Sequence, residues 1–262
     1  MSTRSLHAFA NTLADEARRI VRSRLRRRPS VRRKADLSPV TDIDLAVERR
    51  LRALIQRRFP GHGIVGEEFP RHQSDAPYQW ILDPIDGTLS LTHGLPYFGT
   101  IIGLHHRGSP VSGVIDFPML GDRYHAARGL GAWRNRRRLG LRDVPATKLG
   151  DEIISAADRS RFADFGAAGA FDRLLRRHRH VRGYYYCIGH AYAAEGLIGA
   201  VVDYGVKLWD IAATRLLVEE AGGRFVIVRE RRDGATTEYG IIAGKPTVVR
   251  WLERHFGVRS GR

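Results

Sequence analysis

The chain has 262 residues, 43% of them hydrophobic and 27% charged, with 44 Lys and Arg against 28 Asp and Glu, a net charge of +16. That length supports one or two folded units with a real core, and the composition excludes a wholly disordered or collagenous chain. A single cysteine, Cys187, excludes an internal disulfide framework and fits a reducing cytoplasm, and no apolar run reaches the ~18 residues of a membrane-spanning helix.

Leu6, Phe9, Leu13, Ala17, Ile20, Val21 and Leu25 recur at helical spacing and predict an amphipathic helix from Ser5 to about Arg28, ended by Pro29. Met1 to Ala10 lacks the charged and then apolar pattern of a secretory leader. Arg18 to Lys34 is strongly basic and holds no acid. Arg-rich spelling recurs at Arg136–Arg138 and Arg229–Arg232, and no aromatics interleave with the run to stack bases. It therefore reads as a solvated helix face, with a nucleic-acid contact as the alternative.

Thr41-Asp42-Ile43-Asp44 has the form of a capping box, and Val47, Leu51, Leu54 and Ile55 carry the helix it opens as far as Pro60-Gly61. Gly63–Gly66 and Trp80–Leu82 read as short strands, the second running straight into Asp83-Pro84-Ile85-Asp86-Gly87-Thr88. Gly99–His105, Val111–Phe117 and Arg123–Ala127 predict antiparallel strands around tight turns. Further on, helices are expected at Phe162–Arg177, Ile188–Glu195, Asp210–Ala221 and Thr247–Phe256, with strands at Ile198–Asp203, Arg224–Val228 and Tyr239–Ala243. The result is a mixed α+β and α/β chain, divided near residue 145 into an N-terminal part (1–145) and a C-terminal part (146–262).

Glu67, Glu68, Asp83, Asp86 and Asp210 all stand where the chain leaves regular structure. Pro84 is expected to turn the chain so that Asp86 returns beside Asp83. Carboxylates brought together would repel unless a cation neutralised them, and hard oxygen donors select Mg²⁺ or Mn²⁺. Gly87 and Thr88 begin a helical turn whose amide groups suit an anion. Metal sites beside such amides are the equipment of phosphate chemistry.

With these motifs, and with Lys207-Leu208-Trp209-Asp210-Ile211-Ala212-Ala213 and Glu219-Glu220-Ala221-Gly222-Gly223, the sequence resembles the inositol monophosphatase superfamily of Mg²⁺-dependent, lithium-sensitive phosphatases over nearly its whole length. The resemblance implies a layered αβαβα sandwich, commonly a homodimer, acting as a phosphoric monoester hydrolase on a small phosphorylated alcohol. It implies two or three Mg²⁺ ions, replaceable by Mn²⁺ and inhibited by Li⁺. Glu67, Asp83, the Ile85 carbonyl, Asp86 and Asp210 would be the metal ligands, with Glu68 and Lys34 close by. Asp44 and Thr88, with Glu67, would activate the water, and the Gly87 and Thr88 amides would bind phosphate.

Phe98-Gly99-Thr100 and Val114–Pro118 resemble the histidinol-phosphatase branch, an activity of histidine biosynthesis. Asp203 falls where the family contacts the alcohol. Tyr185 and Tyr186 fall where it usually has Gly-Thr or Gly-Asp, and they read as substrate-pocket residues here, with core aromatics of a strand as the alternative. Inositol 1-phosphate, 3′-phosphoadenosine 5′-phosphate and fructose 1,6-bisphosphate stay open as substrates. A basic RNA-binding protein that keeps a phosphatase fold is the reading from another class.

Overall fold

The computed structural model describes residues 2–34, 37–234 and 236–258. Helix α1 (Thr3–Arg24) starts at a Ser2 cap and buries Leu6, Ala10, Leu13, Ala14, Ala17 and Val21. It stops four residues before the expected end, with Leu25 as its cap, and Pro29 keeps Arg28 out of the α region. A small hairpin, β1 (Val31–Arg33) and β2 (Pro39–Thr41), leads into α2 (Asp42–Arg58), where the Thr41–Asp44 capping box is formed.

Strands β3 (Gly63–Gly66) and β4 (Tyr78–Asp86) pair in parallel. The short helix α3 (Thr88–Thr92) follows β4. An antiparallel meander completes a seven-stranded sheet: β5 (Gly99–His106), β6 (Ser109–Phe117), β7 (Asp122–Ala127), β8 (Gly131–Arg134) and β9 (Arg137–Arg138). Then come β10 (Ile154–Ala156), α4 (Arg159–Asp164), α5 (Ala168–Arg177), β11 (Val181–Arg182), α6 (Cys187–Glu195), β12 (Ala200–Lys207), α7 (Thr214–Glu220), β13 (Arg224–Asp233), β14 (Thr236–Gly244) and α8 (Pro246–His255). Their strands form a second sheet in the order β11-β10-β12-β14-β13.

Three apolar clusters stack these elements into five layers. Helices α1 and α2 cover one face of the seven-stranded sheet through Leu13, Val47, Leu51, Trp80 and Ile102. Helices α6 and α7 lie between the sheets, with Ile115, Ala191, Leu217 and Val201 in one continuous core. Helices α4, α5 and α8 cover the outer face of the second sheet through Phe162, Leu174, Val202 and Leu252. The layered αβαβα expectation is met.

Two expected helices differ. The stretch from Phe162 to Arg177 is two helices, broken where Gly166 takes φ +69°. The helix expected from Asp210 begins only at Thr214, and residues 208–213 form turns. Those turns lie flat on the seven-stranded sheet. A Cβ at Gly103 would stand 2.7 Å from Ala212 Cβ, and one at Gly113 would stand 2.8 Å from Ala213 Cα. His105 Nε2 also bonds the Ala212 carbonyl at 3.0 Å.

Gly103→Val should therefore destabilise the protein by roughly 2–4 kcal/mol, although valine is the better strand former. Urea unfolding measures it. A loss within experimental error would mean that this contact does not set the spacing of the layers.

Candidate active site

Strand β4 does not turn at Pro84, as the sequence suggests. It continues to Asp86 with one extra residue: Asp83 pairs with Ile101 and Asp86 with Gly99, so three steps on β4 face two on β5. In a regular strand, residues three apart point to opposite faces. The bulge cancels that offset and puts both carboxylates on one side. Pro84 has no N–H to lose from the ladder, and Thr100 Oγ1 donates to its carbonyl at 2.8 Å.

Asp210 joins the pair from the turn after β12. One oxygen each of Asp83, Asp86 and Asp210 lies within 4.8 Å of the others. Asp210 is held by the Lys207 N–H, 2.7 Å from Oδ2, and Asp86 Oδ2 accepts from the Cys187 N–H at the start of α6. Asp83 is fully buried, and its Oδ1 has no hydrogen-bond partner among the described residues. Burial pushes Asp83 and Asp210 well above the usual carboxylate range, and the neighbouring acids add to it. Asp86 is pushed up to about 6, mainly by burial. An orphaned buried oxygen in an all-oxygen, anionic donor set fits a hard divalent cation.

Glu67 and Glu68 follow β3. Lys34 reaches both, at 2.6 Å from Glu67 Oε1 and 2.8 Å from Glu68 Oε1. Burial opposes the Lys34 charge, but the two glutamates outweigh it and raise its pKa. Burial and the Glu67 charge push Glu68 up to about 7. Beneath them lies Glu48, which the sequence reading missed. It is fully buried, bonds Arg52 at 2.8 Å and accepts the Glu68 N–H at 2.8 Å. Its signal was available, as an acid inside the apolar stripe of α2, four residues after Asp44.

Asp44 is also fully buried. The Thr41 amide (2.9 Å) and the Thr41 hydroxyl both bond Oδ2, so the capping box also orients this carboxylate. Thr88 Oγ1 lies 3.0 Å from Asp44 Oδ1 and 3.0 Å from the Ile85 carbonyl. Gly87 precedes α3 at φ +92°, and a Cβ there would meet the Tyr97 carbonyl at 3.0 Å, so the turn requires glycine.

A cavity of about 210 Å³ adjoins these acids. Asp86 and Asp210 line it together with Asp203, Tyr185 and Tyr186, so the expected substrate residues do meet the acid cluster. Three further lining residues, Asp158, Arg161 and His190, were not foreseen. His190 Nε2 lies 3.4 Å from Asp203 Oδ2, and its Nδ1 lies 3.0 Å from Thr214 Oγ1. Nothing in the linear spacing of these residues signals their meeting.

The basic run is only partly a solvated face. Arg18 forms a two-pronged pair with buried Asp116 at 2.9 and 2.7 Å, Arg22 bonds the Pro118 carbonyl, and Arg24 pairs with Asp42. No described helix is long and apolar enough to cross a membrane.

A five-layer sandwich with a buried all-oxygen acid cluster beside a hydroxyl–carboxylate pair defines a metal-dependent phosphatase. The chain belongs to the inositol monophosphatase family, whose model matches residues 2–255. It is 37% identical over 198 residues to a histidinol-phosphatase of Chlorobaculum parvum, covering 76% of each chain. It is 36% identical over 212 residues to a histidinol-phosphatase of Mycobacterium tuberculosis, covering 79% of each. Its fold matches an inositol monophosphatase from Zymomonas mobilis at a TM-score of 0.83 and 29% identity, over 98% of this chain and 99% of the other.

The raised pKa of Asp86 has a signed consequence. Without metal, the folded state holds this proton more tightly than the unfolded state, so stability falls as pH rises from the ordinary 3.8 to about 6. Asp86→Asn keeps an oxygen for the Cys187 amide and removes the charge. In EDTA near pH 7.5 the variant should be more stable than wild type by roughly 2–3 kcal/mol, with the gap closing toward about pH 4. Urea melts of both proteins across that range measure it, and a gap independent of pH would refute it.

Proposed function

We propose that the protein hydrolyses histidinol phosphate, releasing histidinol and inorganic phosphate. The observation that carries this reading is the cavity that sets Asp203 and Tyr185 beside Asp86 and Asp210. A carboxylate pairs more strongly with the ammonium of an amino alcohol than with a neutral hydroxyl. Tyrosine rings suit a flat imidazole, and Tyr185 is 54% exposed and free to offer its face. The two relatives named histidinol-phosphatase support the same substrate, whereas the structural match is named an inositol monophosphatase.

Glu67, Asp83, the Ile85 carbonyl, Asp86 and Asp210 would hold two or three Mg²⁺ ions, or Mn²⁺ in their place, and Li⁺ is expected to inhibit. Bound there, the ions supply the positive charge that balances the acids, draws in phosphoryl oxygens and acidifies water. The chain's own groups do the rest. Lys34 pairs with Glu67 Oε1 and fixes the direction of that carboxylate. Thr88 donates its hydroxyl proton toward Asp44 Oδ1, which leaves its oxygen lone pair able to accept a proton from the attacking water. Asp44 is fixed for this by Thr41. The Gly87 and Thr88 amides receive the phosphoryl oxygens. Asp203 orients the alcohol, with His190 and Thr214 setting its direction. On this reading the protein works in the cytoplasm as a homodimer.

Activity should vanish in EDTA and return with Mg²⁺. Asp83→Asn should lower kcat at least about a hundredfold while the fold survives, since a neutral amide cannot replace a carboxylate facing cations. Near wild-type kcat, or a variant that does not fold, would contradict the role. The substrate is tested by kcat/KM for histidinol phosphate, inositol 1-phosphate, 3′-phosphoadenosine 5′-phosphate and fructose 1,6-bisphosphate. Histidinol phosphate should lead, and Asp203→Ala should erase that lead. A wild-type preference for any of the other three sinks the substrate, and an unchanged preference in Asp203→Ala sinks the residue's role.

A further inference from the structure

Two of the non-glycine residues with left-handed backbone, Asp158 (φ +57°) and Tyr186 (φ +62°), line the cavity beside Asp86 and Asp210. Aspartate tolerates that region. Tyr186 is different: with ψ −164° it occupies a conformation that is essentially reserved for glycine.

Its neighbours hold it there. The next amide, Cys187 N–H, is anchored on Asp86, and the Tyr186 carbonyl accepts the Gly189 N–H at 3.1 Å. The ring lies directly on the Gly87 turn, where a glycine Cβ would stand 3.1 Å from Tyr186 Cδ2. The ring is not core packing. It stands half-buried between the 210 Å³ cavity and a second, aromatic groove of about 690 Å³ bordered by Leu95, Tyr97 and Tyr192. A glycine would satisfy this backbone without strain, so the tyrosine's contribution must come from where its ring stands.

We infer that Tyr186 is a steric filter on the carbon that bears the phosphate. The inference rests on the reading that the Gly87 and Thr88 amides hold the phosphoryl group. A phosphate seated there has the ring at its flank. A primary CH₂–O–P ester leaves the turn as a thin chain and passes the ring. An ester on a substituted ring carbon brings two branches to the same point and collides with it. Tyr186 therefore selects phosphates of unbranched primary alcohols, whatever lies further along the chain, and the anchors on either side of its strained backbone keep the ring in place.

The test uses the full-length Mg²⁺-loaded protein and two esters that leave histidinol aside: sn-glycerol 3-phosphate, which is primary, and inositol 1-phosphate, which is a ring ester. The ratio of kcat/KM, glycerol over inositol ester, should favour glycerol in wild type. It should fall at least tenfold in Tyr186→Ala and Tyr186→Gly and hold in Tyr186→Phe. Separately, Tyr186→Gly should melt several degrees above Tyr186→Ala, the reverse of the order for an ordinary backbone position. A wild-type preference for the inositol ester, or a ratio unmoved in both truncations, overturns the filter. Equal melting of the glycine and alanine variants overturns the strain. If the ratios behave as expected but histidinol phosphate is not hydrolysed, the substrate reading fails and the filter stands.

Discussion

The mutual repulsion of buried carboxylates is the constraint around which the molecule is arranged. Asp83, Asp86 and Asp210 come within 4.8 Å from β4 and from the turn after β12, while Glu67 and Asp44 approach from two further elements. The groups that orient them are mostly neutral. Cys187 and Lys207 offer backbone amides, and Thr41 offers an amide and a hydroxyl. Neutral donors fix direction without cancelling charge, so most of the negative charge stays available to a cation. Lys34 does bring a full positive charge into hydrogen-bond contact, and it sits at the Glu67–Glu68 edge of the cluster.

Much of this was legible in the linear sequence. Period-3.6 stripes located α1 and α2, and the Thr41–Asp44 box was readable because capping is local chemistry. The acids of the site were readable for a related reason, since charged residues that end apolar strands stand out. Strand β3 falls where expected, at Gly63–Gly66. Strand and helix ends were less visible. Asp210 looks like a helix start because apolar residues follow it, but the layer beneath flattens the chain until Thr214.

The β4 bulge is the instructive failure. Pro84 between two aspartates reads as a turn by every local rule. The turn is unnecessary, because a single unpaired residue against β5 has the same effect on where the carboxylates point. Only the partner strand reveals this, and no spacing within β4 encodes it. The same holds for Glu48 and His190, whose roles depend on Gly66, Glu68, Asp203 and Thr214 arriving from elsewhere. What the sequence hides are relations between elements.

The flat seam of Gly103 and Gly113 against Ala212 and Ala213 bears on how this scaffold can be rebuilt. On the proposed reading, the residues that would meet the alcohol lie mostly in the second half of the chain, which makes that half an attractive module to exchange between relatives with different substrates. Asp210, however, belongs to the exchanged half, and its position relative to Asp83 is set by how closely the two alanines rest on the two glycines. A hybrid that joined a bulkier seam to these glycines, or these alanines to a sheet with side chains there, would hold the last acid too far from its companions. These four small residues form a compatibility code at the junction, so a transplant must carry them as a matched set even though none of them lines the cavity beside Asp86 and Asp210.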